Sequence, residues 1–316
     1  MSRIHEALKK AEEARAAAQG TDAVALPADS ASAPPMSESE SAVPAVNLSA
    51  RATVAAPATG GHLRFDDFCV RCAHPQWNFV PEMNVFFHPD AGGLVAEQFR
   101  TLRSRLYQLH NNGKGPLRRL LITSSIPGEG KTFVANNLAQ AIVRQPDRRA
   151  LLIDIDLRCS RLHLQLGAPV APGLTEYLRG EADETAIIQH GTKGNLCFIA
   201  GGNEVKNPSE LLANGRLKIL LDRISPLFDW IIVDSPPCLP VADANVLAEY
   251  CDGVLLVVRA GTTPAATVQR ACQELMKRNV VGVVLNAVDG GSTYGSYSYY
   301  DYPYGQSDSK KKLSES

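Results

Sequence analysis

From residue 94 onward, short apolar bursts alternate with amphipathic stretches. Leu94, Phe99, Leu102 and Leu106 fall on one side of a predicted helix. A strand "RLLITSS" (119–125) follows, then a Gly-rich turn and a helix from about Lys131 to Val143. Next come a strand "ALLIDID" (150–156), a weaker strand "LCFIA" (196–200) and a helix near 209–224. The run closes with strand "WIIVDS" (230–235), helix near 243–250, strand "GVLLVVR" (253–259), helix 264–278 and strand "VVGVVLN" (280–286). These strands are β-branched and apolar on both faces, as parallel strands covered by helices must be. The alternation predicts a doubly wound, mostly parallel α/β domain whose ligands bind beyond the carboxyl ends of the strands.

The flanks read differently. Residues 1–19 suggest a short amphipathic helix, with Ile4, Leu8 and Ala11 on one face and Glu6 paired to Lys10. Residues 20–61 are an Ala/Ser/Pro mixture without Phe, Trp or Tyr, the composition of a disordered linker. Order is expected to begin within 62–90, where Phe65, Phe68, Trp77, Phe79, Phe86 and Phe87 supply packing groups, and the folded domain to span 62–289. The stretch 290–316 is too polar and Gly-rich to fold. Yet it holds six of the nine tyrosines: Tyr294, Tyr297, Tyr299, Tyr300, Tyr302 and Tyr304. Phenols concentrated where nothing packs are there for their faces or their hydroxyls.

Bulk numbers narrow the field. Lys plus Arg number 32 against 33 Asp plus Glu, so no basic field points to nucleic acid. No apolar run approaches the ~18 residues of a membrane span. The charged N-terminus does not read as an export signal. Seven scattered cysteines do not form a disulfide framework. The expectation is a soluble, cytoplasmic, reduced protein.

"SSIPGEGKTF" lies between a strand and a helix, the context a phosphate-binding loop requires. Backbone N–H groups of Gly128, Glu129 and Gly130 can turn around a phosphate, Lys131 can charge-pair with it, and the Thr132 hydroxyl can ligate Mg²⁺. Ser125 stands where the G-x-x-x-x-G-K-T pattern has its first Gly. A second strand ends "LLIDIDLR", placing Asp154 and Asp156 two apart and so on one side of the strand. A third ends "IIVDSPP" and delivers Asp234 to the same edge. Three carboxylates converging on such a loop suit Mg²⁺ binding and proton transfer.

These three motifs together resemble the deviant-Walker (MinD/ParA-like) P-loop ATPases, and specifically the bacterial tyrosine kinases of capsule and exopolysaccharide export. The resemblance covers about residues 85–306. It implies a protein-tyrosine autokinase using ATP and Mg²⁺, with nucleotide held by Gly128 to Phe133 and metal by Thr132, Asp154 and Asp234. Lys131, Asp154, Asp156 and Asp234 would be catalytic, one of the Asp154/Asp156 pair aiding deprotonation of the attacking tyrosine. The six tail tyrosines would be the autophosphorylation sites. "EQFRTLR", with Glu97, Arg100 and Arg103, resembles the family helix that joins subunits into a ring-like homo-oligomer. The family further implies a transmembrane polysaccharide co-polymerase as activator and a protein-tyrosine phosphatase as opponent. The chain would then be peripheral to the inner membrane through that partner. The opening "MSRIHEALKKAEE" resembles the exosortase-associated branch.

Two other readings compete. A ParA/MinD-type switch carries an extra lysine one place after the first motif Gly, where this chain has Ile126. A binding module with an adhesive Gly/Ser/Tyr tail is the other. Among weaker signals, "CVRC" (Cys69, Cys72) with His74 nearby offers half a metal site. No second pair of suitable spacing follows, so a loop without metal is expected. Cys159, Cys197, Cys238, Cys251 and Cys272 read as core or near-site residues, Cys238 as oxidant-sensitive at most, and His163 as structural. "KKK" (310–312) reads as a solvated tail.

Overall fold

The structure, a computed structural model, describes residues 64–87, 93–111, 116–191 and 194–288. The expected N-terminal helix, the whole linker (20–61), the tyrosine cluster and the lysine run all lie outside the described residues.

Helices α1 (Phe65–Cys69) and α2 (Leu94–Asn111) precede β1 (Arg119–Ser124), α3 (Lys131–Val143) and β2 (Ala150–Asp154). Short helices α4 (Leu162–Leu166), α5 (Leu174–Arg179) and α6 (Glu184–Ile187) lead to β3 (Ile188–His190) and β4 (Leu196–Ile199). Then come α7 (Pro208–Leu212), α8 (Arg216–Ile224), β5 (Trp230–Asp234), α9 (Asp243–Leu247), β6 (Gly253–Arg259), α10 (Ala265–Glu274) and β7 (Val280–Asn286). The strands form one sheet in the order β3-β4-β2-β5-β1-β6-β7, parallel except for β3. The chain moves from β1 past β5's position to β2 and later returns to β6 on the other side. That reversal opens a crevice at the carboxyl end of β1, where a doubly wound sheet binds ligand.

Both faces of the sheet are covered. One cluster joins Leu121, Ile153, Ile199, Ile231 and Leu256 to side chains of α5, α8, α9 and α10. The other joins Leu120, Ile122, Leu152, Phe198 and Ile232 to α2 and α3. The helix α3 is buried along nearly its whole length, including Asn136, Asn137 and Gln140. Buried amides need partners, and the segment before α2 supplies them. The Asn84 side-chain oxygen accepts from Asn136 (3.0 Å) and Gln140 (2.6 Å), and the Asn137 oxygen accepts from the Val85 backbone N–H (2.8 Å). This network is why residues near 80–87 are ordered.

Three expectations need correction. The helix expected near 209–224 is two helices, because Gly215 adopts a left-handed φ of 79° that breaks the run. Asn214 braces the break, accepting from Arg216 N and donating to the Leu178 carbonyl. The final strand is not covered on both faces: β7 is the sheet edge, and Val283 and Leu285 are 54% and 59% exposed. And β2 ends at Asp154, so Asp156 lies beyond the strand, not on its side. The antiparallel β3, only three residues long, carries too little pattern to be read. No helix among the described residues is long and apolar enough to cross a membrane.

Candidate active site

The turn after β1 is built around two glycines. Gly128 and Gly130 take φ values of 86° and 93°, where L side chains are strained. A Cβ at Gly130 would also sit 2.0 Å from the Asn286 side-chain nitrogen. That nitrogen donates to the Glu129 carbonyl at 2.9 Å, tying the end of β7 to the loop. The Glu129 side chain is buried. It accepts from the Ile126 N–H (2.8 Å) and the Thr263 hydroxyl (2.6 Å), locking the loop to the segment after β6.

Lys131 begins α3 and is buried, with Nζ donating to Asp156 Oδ2 at 2.8 Å and lying 3.7 Å from Asp234 Oδ1. Burial alone would lower its pKa, but the Asp234 and Asp156 carboxylates outweigh it and the net shift is upward. Thr132 lies alongside, its Oγ1 3.2 Å from the same nitrogen. Asp234, at the end of β5, is 1% exposed, and its Oδ1 has no hydrogen-bond partner among the described residues. Burial pushes its carboxyl up to about 6, against the pull of Lys131.

Asp154 does something different from the other two acids. Its Oδ2 accepts from Ser160 Oγ (2.8 Å), Arg161 N and Leu162 N (both 3.1 Å), and its Oδ1 accepts from Asp156 N (3.2 Å). It is fully buried, and burial together with the Asp234 charge raises its carboxyl to about 7. Asp156 and Asp234 therefore converge on Lys131, while Asp154 shapes the turn that presents Asp156. Phe133 is half-buried and packs its ring edge-on against Phe99 at 5.9 Å.

The α2 motif does not form one uniform surface. Glu97 is exposed and pairs with Arg100 at 2.8 Å, but Arg103 is half-buried and donates to the Ala141 carbonyl of α3 at 2.5 Å. Periodicity shows that three side chains share a face; it does not show that a neighbouring helix meets one edge of that face. The cysteine readings divide. Cys159 and Cys272 are exposed and so not core, but Cys159 lies near the site, its N–H donating to Asp156 Oδ1 at 3.2 Å. Burial pushes the Cys238 thiol up to about 11, which keeps it protonated and poorly reactive.

Several site residues carry no pattern in the sequence. Arg158 donates to Asp243 (2.9 Å) and Ser209 (2.7 Å), and Ser209 donates to Asp243 (2.6 Å), joining the turn after β2 to α7 and α9. Asn286 was legible only as the last residue of a strand aimed at the ligand edge.

Fold and site define a P-loop nucleotide-binding domain with acids at the ends of two neighbouring strands. No family model matches the chain. Over 230 residues it is 34% identical to the putative tyrosine-protein kinase EpsB of Ralstonia nicotianae, covering 70% of this chain and 30% of that protein. It is 31% identical to the tyrosine-protein kinase YwqD of Bacillus subtilis, covering 72% of this chain and 93% of that protein. The kinase domain of the Escherichia coli tyrosine kinase ETK superposes with a TM-score of 0.62 at 33% identity, covering 72% of this chain and 94% of that one. The chain belongs to the bacterial tyrosine kinase family. It spans under a third of the length of the first of these relatives.

Proposed function

We propose that the chain is an ATP-dependent protein-tyrosine autokinase that phosphorylates its own tail cluster, Tyr294 to Tyr304, and in doing so regulates exopolysaccharide or capsule polymerisation and export. The observation that carries this reading is the Asn286–Glu129 hydrogen bond, 2.9 Å long, at the point where the chain leaves the sheet. Because β7 runs parallel to β6 and β6 to β1, the residues after Asn286 start at the phosphate loop itself. Eighteen residues separate Asn286 from Tyr304. Extended, they reach about 60 Å at ~3.3–3.6 Å each, enough for a neighbouring subunit's site.

The residues fit ATP and Mg²⁺. Gly128 and Gly130 leave a cradle without side chains, and Asp234 Oδ1 is buried without a hydrogen-bond partner among the described residues, suited to a hard cation. Bound through Thr132 and Asp234, Mg²⁺ would neutralise charge on the transferring phosphoryl group. Lys131 would exchange Asp156 for the γ-phosphate. Asp156, so released, would accept the phenolic proton as the tyrosine oxygen bonds to phosphorus and the bond to the ADP oxygen breaks. Asp154 acts through Asp156 as a positioning residue and does not itself meet substrate.

The exposed Glu97–Arg100 pair would take part in a ring of copies, each presenting its tail to the next. A transmembrane polysaccharide co-polymerase would activate the ring at the inner membrane, and a protein-tyrosine phosphatase would reset it. The test mixes a Lys131→Met chain, tail intact, with a chain whose six tail tyrosines are Phe, site intact. Labelled phosphate on the first chain supports transfer in trans. Phosphate released into solution with no phosphotyrosine on wild type would point instead to an ATPase switch and end the kinase reading.

A further inference from the structure

Far from the phosphate loop, at the amino end of β4, metal-ligand side chains from three parts of the chain meet. His190 and Cys197 are direct partners across the antiparallel β3–β4 pair, so their side chains share a face. The segment after α1 joins this edge through backbone bonds: Ala73 N donates to the Ile188 carbonyl at 3.2 Å, and His190 N to the Ala73 carbonyl at 2.8 Å. That bridge brings Cys69 into place. Ligand atoms of Cys69, His190 and Cys197 all lie within 4.8 Å of one another. A tetrahedral zinc with Zn–S bonds of about 2.3 Å spaces its ligands about 3.8 Å apart, a gap that small side-chain rotations close.

A fourth ligand, Cys72, lies outside that group of three and would turn toward it on binding. Cys72 is 6% exposed and close enough for its charge to act on both Cys69 and Cys197. Its Sγ now donates to the Phe68 carbonyl at 3.3 Å, a bond that a thiolate cannot make. Cys69 and Cys72 also have the C-x₂-C spacing of a zinc knuckle. His74 is the other candidate, but its Nε2 is engaged by the Cys69 carbonyl at 2.9 Å. Three thiolates and a neutral imidazole around Zn²⁺ carry one net negative charge. The Arg149 guanidinium, stacked on Phe65 at 4.6 Å and acting on Cys69, lies where it would balance that charge. The three thiols of this region, Cys69, Cys72 and Cys197, are free, none paired in a disulfide.

We infer that Cys69, Cys72, His190 and Cys197 bind one Zn²⁺ in a closed structural site that pins residues 65–74 to the β3–β4 edge. Binding releases three thiol protons to solvent and involves no change of oxidation state. The expectation of a metal-free loop at "CVRC" followed from looking for the second half-site nearby in sequence. The strand pairing supplies it from far downstream.

The test uses the full chain, purified under reductant and loaded with Zn²⁺, then assayed for bound metal. One zinc per chain is expected, with Cys69→Ser and Cys197→Ser each retaining less than about a tenth of it and the exposed Cys272→Ser retaining all. Replacing zinc by Co²⁺ in wild type should give the thiolate charge-transfer and intense visible bands of a tetrahedral sulfur-rich site, which requires no variant to fold. Removing the metal with a chelator should lower the Tm. The proposal is overturned by wild type that binds no stoichiometric zinc, by a Cys69–Cys197 disulfide in the intact mass under native conditions, or by a cobalt spectrum that Cys72→Ser leaves unaltered.

Discussion

Asp234→Asn should abolish tyrosine labelling and, at the same time, make the protein more stable. A carboxyl raised to about 6 from an ordinary 3.8 binds its proton more tightly in the folded state than in the unfolded chain. The stability this contributes is fully present below pH ~3.8 and is lost as pH rises through about 6. The difference of about two units is worth ~3 kcal/mol at pH 7, at 1.36 kcal/mol per unit. That figure is already net of the attraction to Lys131; Asn removes the ionisation but leaves a buried amide that pairs less well than a protonated carboxyl, so roughly half of it should be recovered. At ~2–4 °C per kcal/mol for a domain of this size, a rise in Tm of about 3–6 °C follows. Thermal melts of wild type and variant at pH 5 and pH 7.5, without nucleotide or Mg²⁺, would show it. The wild type should gain stability toward pH 5 relative to the variant. A variant that melts lower than wild type at pH 7.5 would show that ionised Asp234 is stabilising and refute the reasoning.

Other perturbations test other contacts. Gly130→Ala combines a φ of 93° with a Cβ 2.0 Å from the Asn286 amide; it should cost more than ~1 kcal/mol and sharply weaken nucleotide binding, read by denaturant melts and ligand titration. Arg103→Ala should lower stability by ~1–2 kcal/mol through its lost bond to Ala141 and lost packing, whereas Arg100→Ala should stay within ~0.5 kcal/mol and alter only the oligomer seen by sedimentation. Removing residues 1–60 should leave the Tm and nucleotide affinity nearly unchanged, because the linker composition cannot join a core; a cooperative loss of stability would move the domain boundary.

How legible all this was in the sequence depended on whether the constraint is local. The phosphate loop could be read because its chemistry requires Gly, Lys and Thr at adjacent positions between a strand and a helix. The direction of β7, and with it the place of Asn286 at the ligand edge, followed from parallel pairing alone. Contacts between distant segments left no such trace. Glu129 meets Thr263 across 134 positions of sequence, so its side chain read as incidental to a glycine turn. Asp154 and Asp156 looked equivalent as two acids two apart. They diverge because β2 stops at Asp154 and the next turn closes around that carboxylate with three N–H groups and a hydroxyl. The Arg103 bond to Ala141 and the Cys/His cluster at β3 left no trace for the same reason, since each depends on which element packs beside it.

The charge imbalance behind the Asp234 effect also bears on the catalytic cycle. Asp154, Asp156 and Asp234 lie together with Lys131 as the cation among them. A fold that buries carboxylates at some cost to its own stability keeps a site ready for positive charge, and Mg²⁺ with nucleotide relieves that cost. A neutral tyrosine hydroxyl can enter beside these acids. A phosphotyrosine formed there would carry about −1.5 to −2 charges, and the same carboxylates would repel that product. With six tyrosines in one tail, the repulsion grows with each transfer. Under the proposed autokinase reading, a substrate segment that follows Asn286 would be drawn in while unmodified and driven out as it fills, so that the charge of the product itself would help to end the reaction.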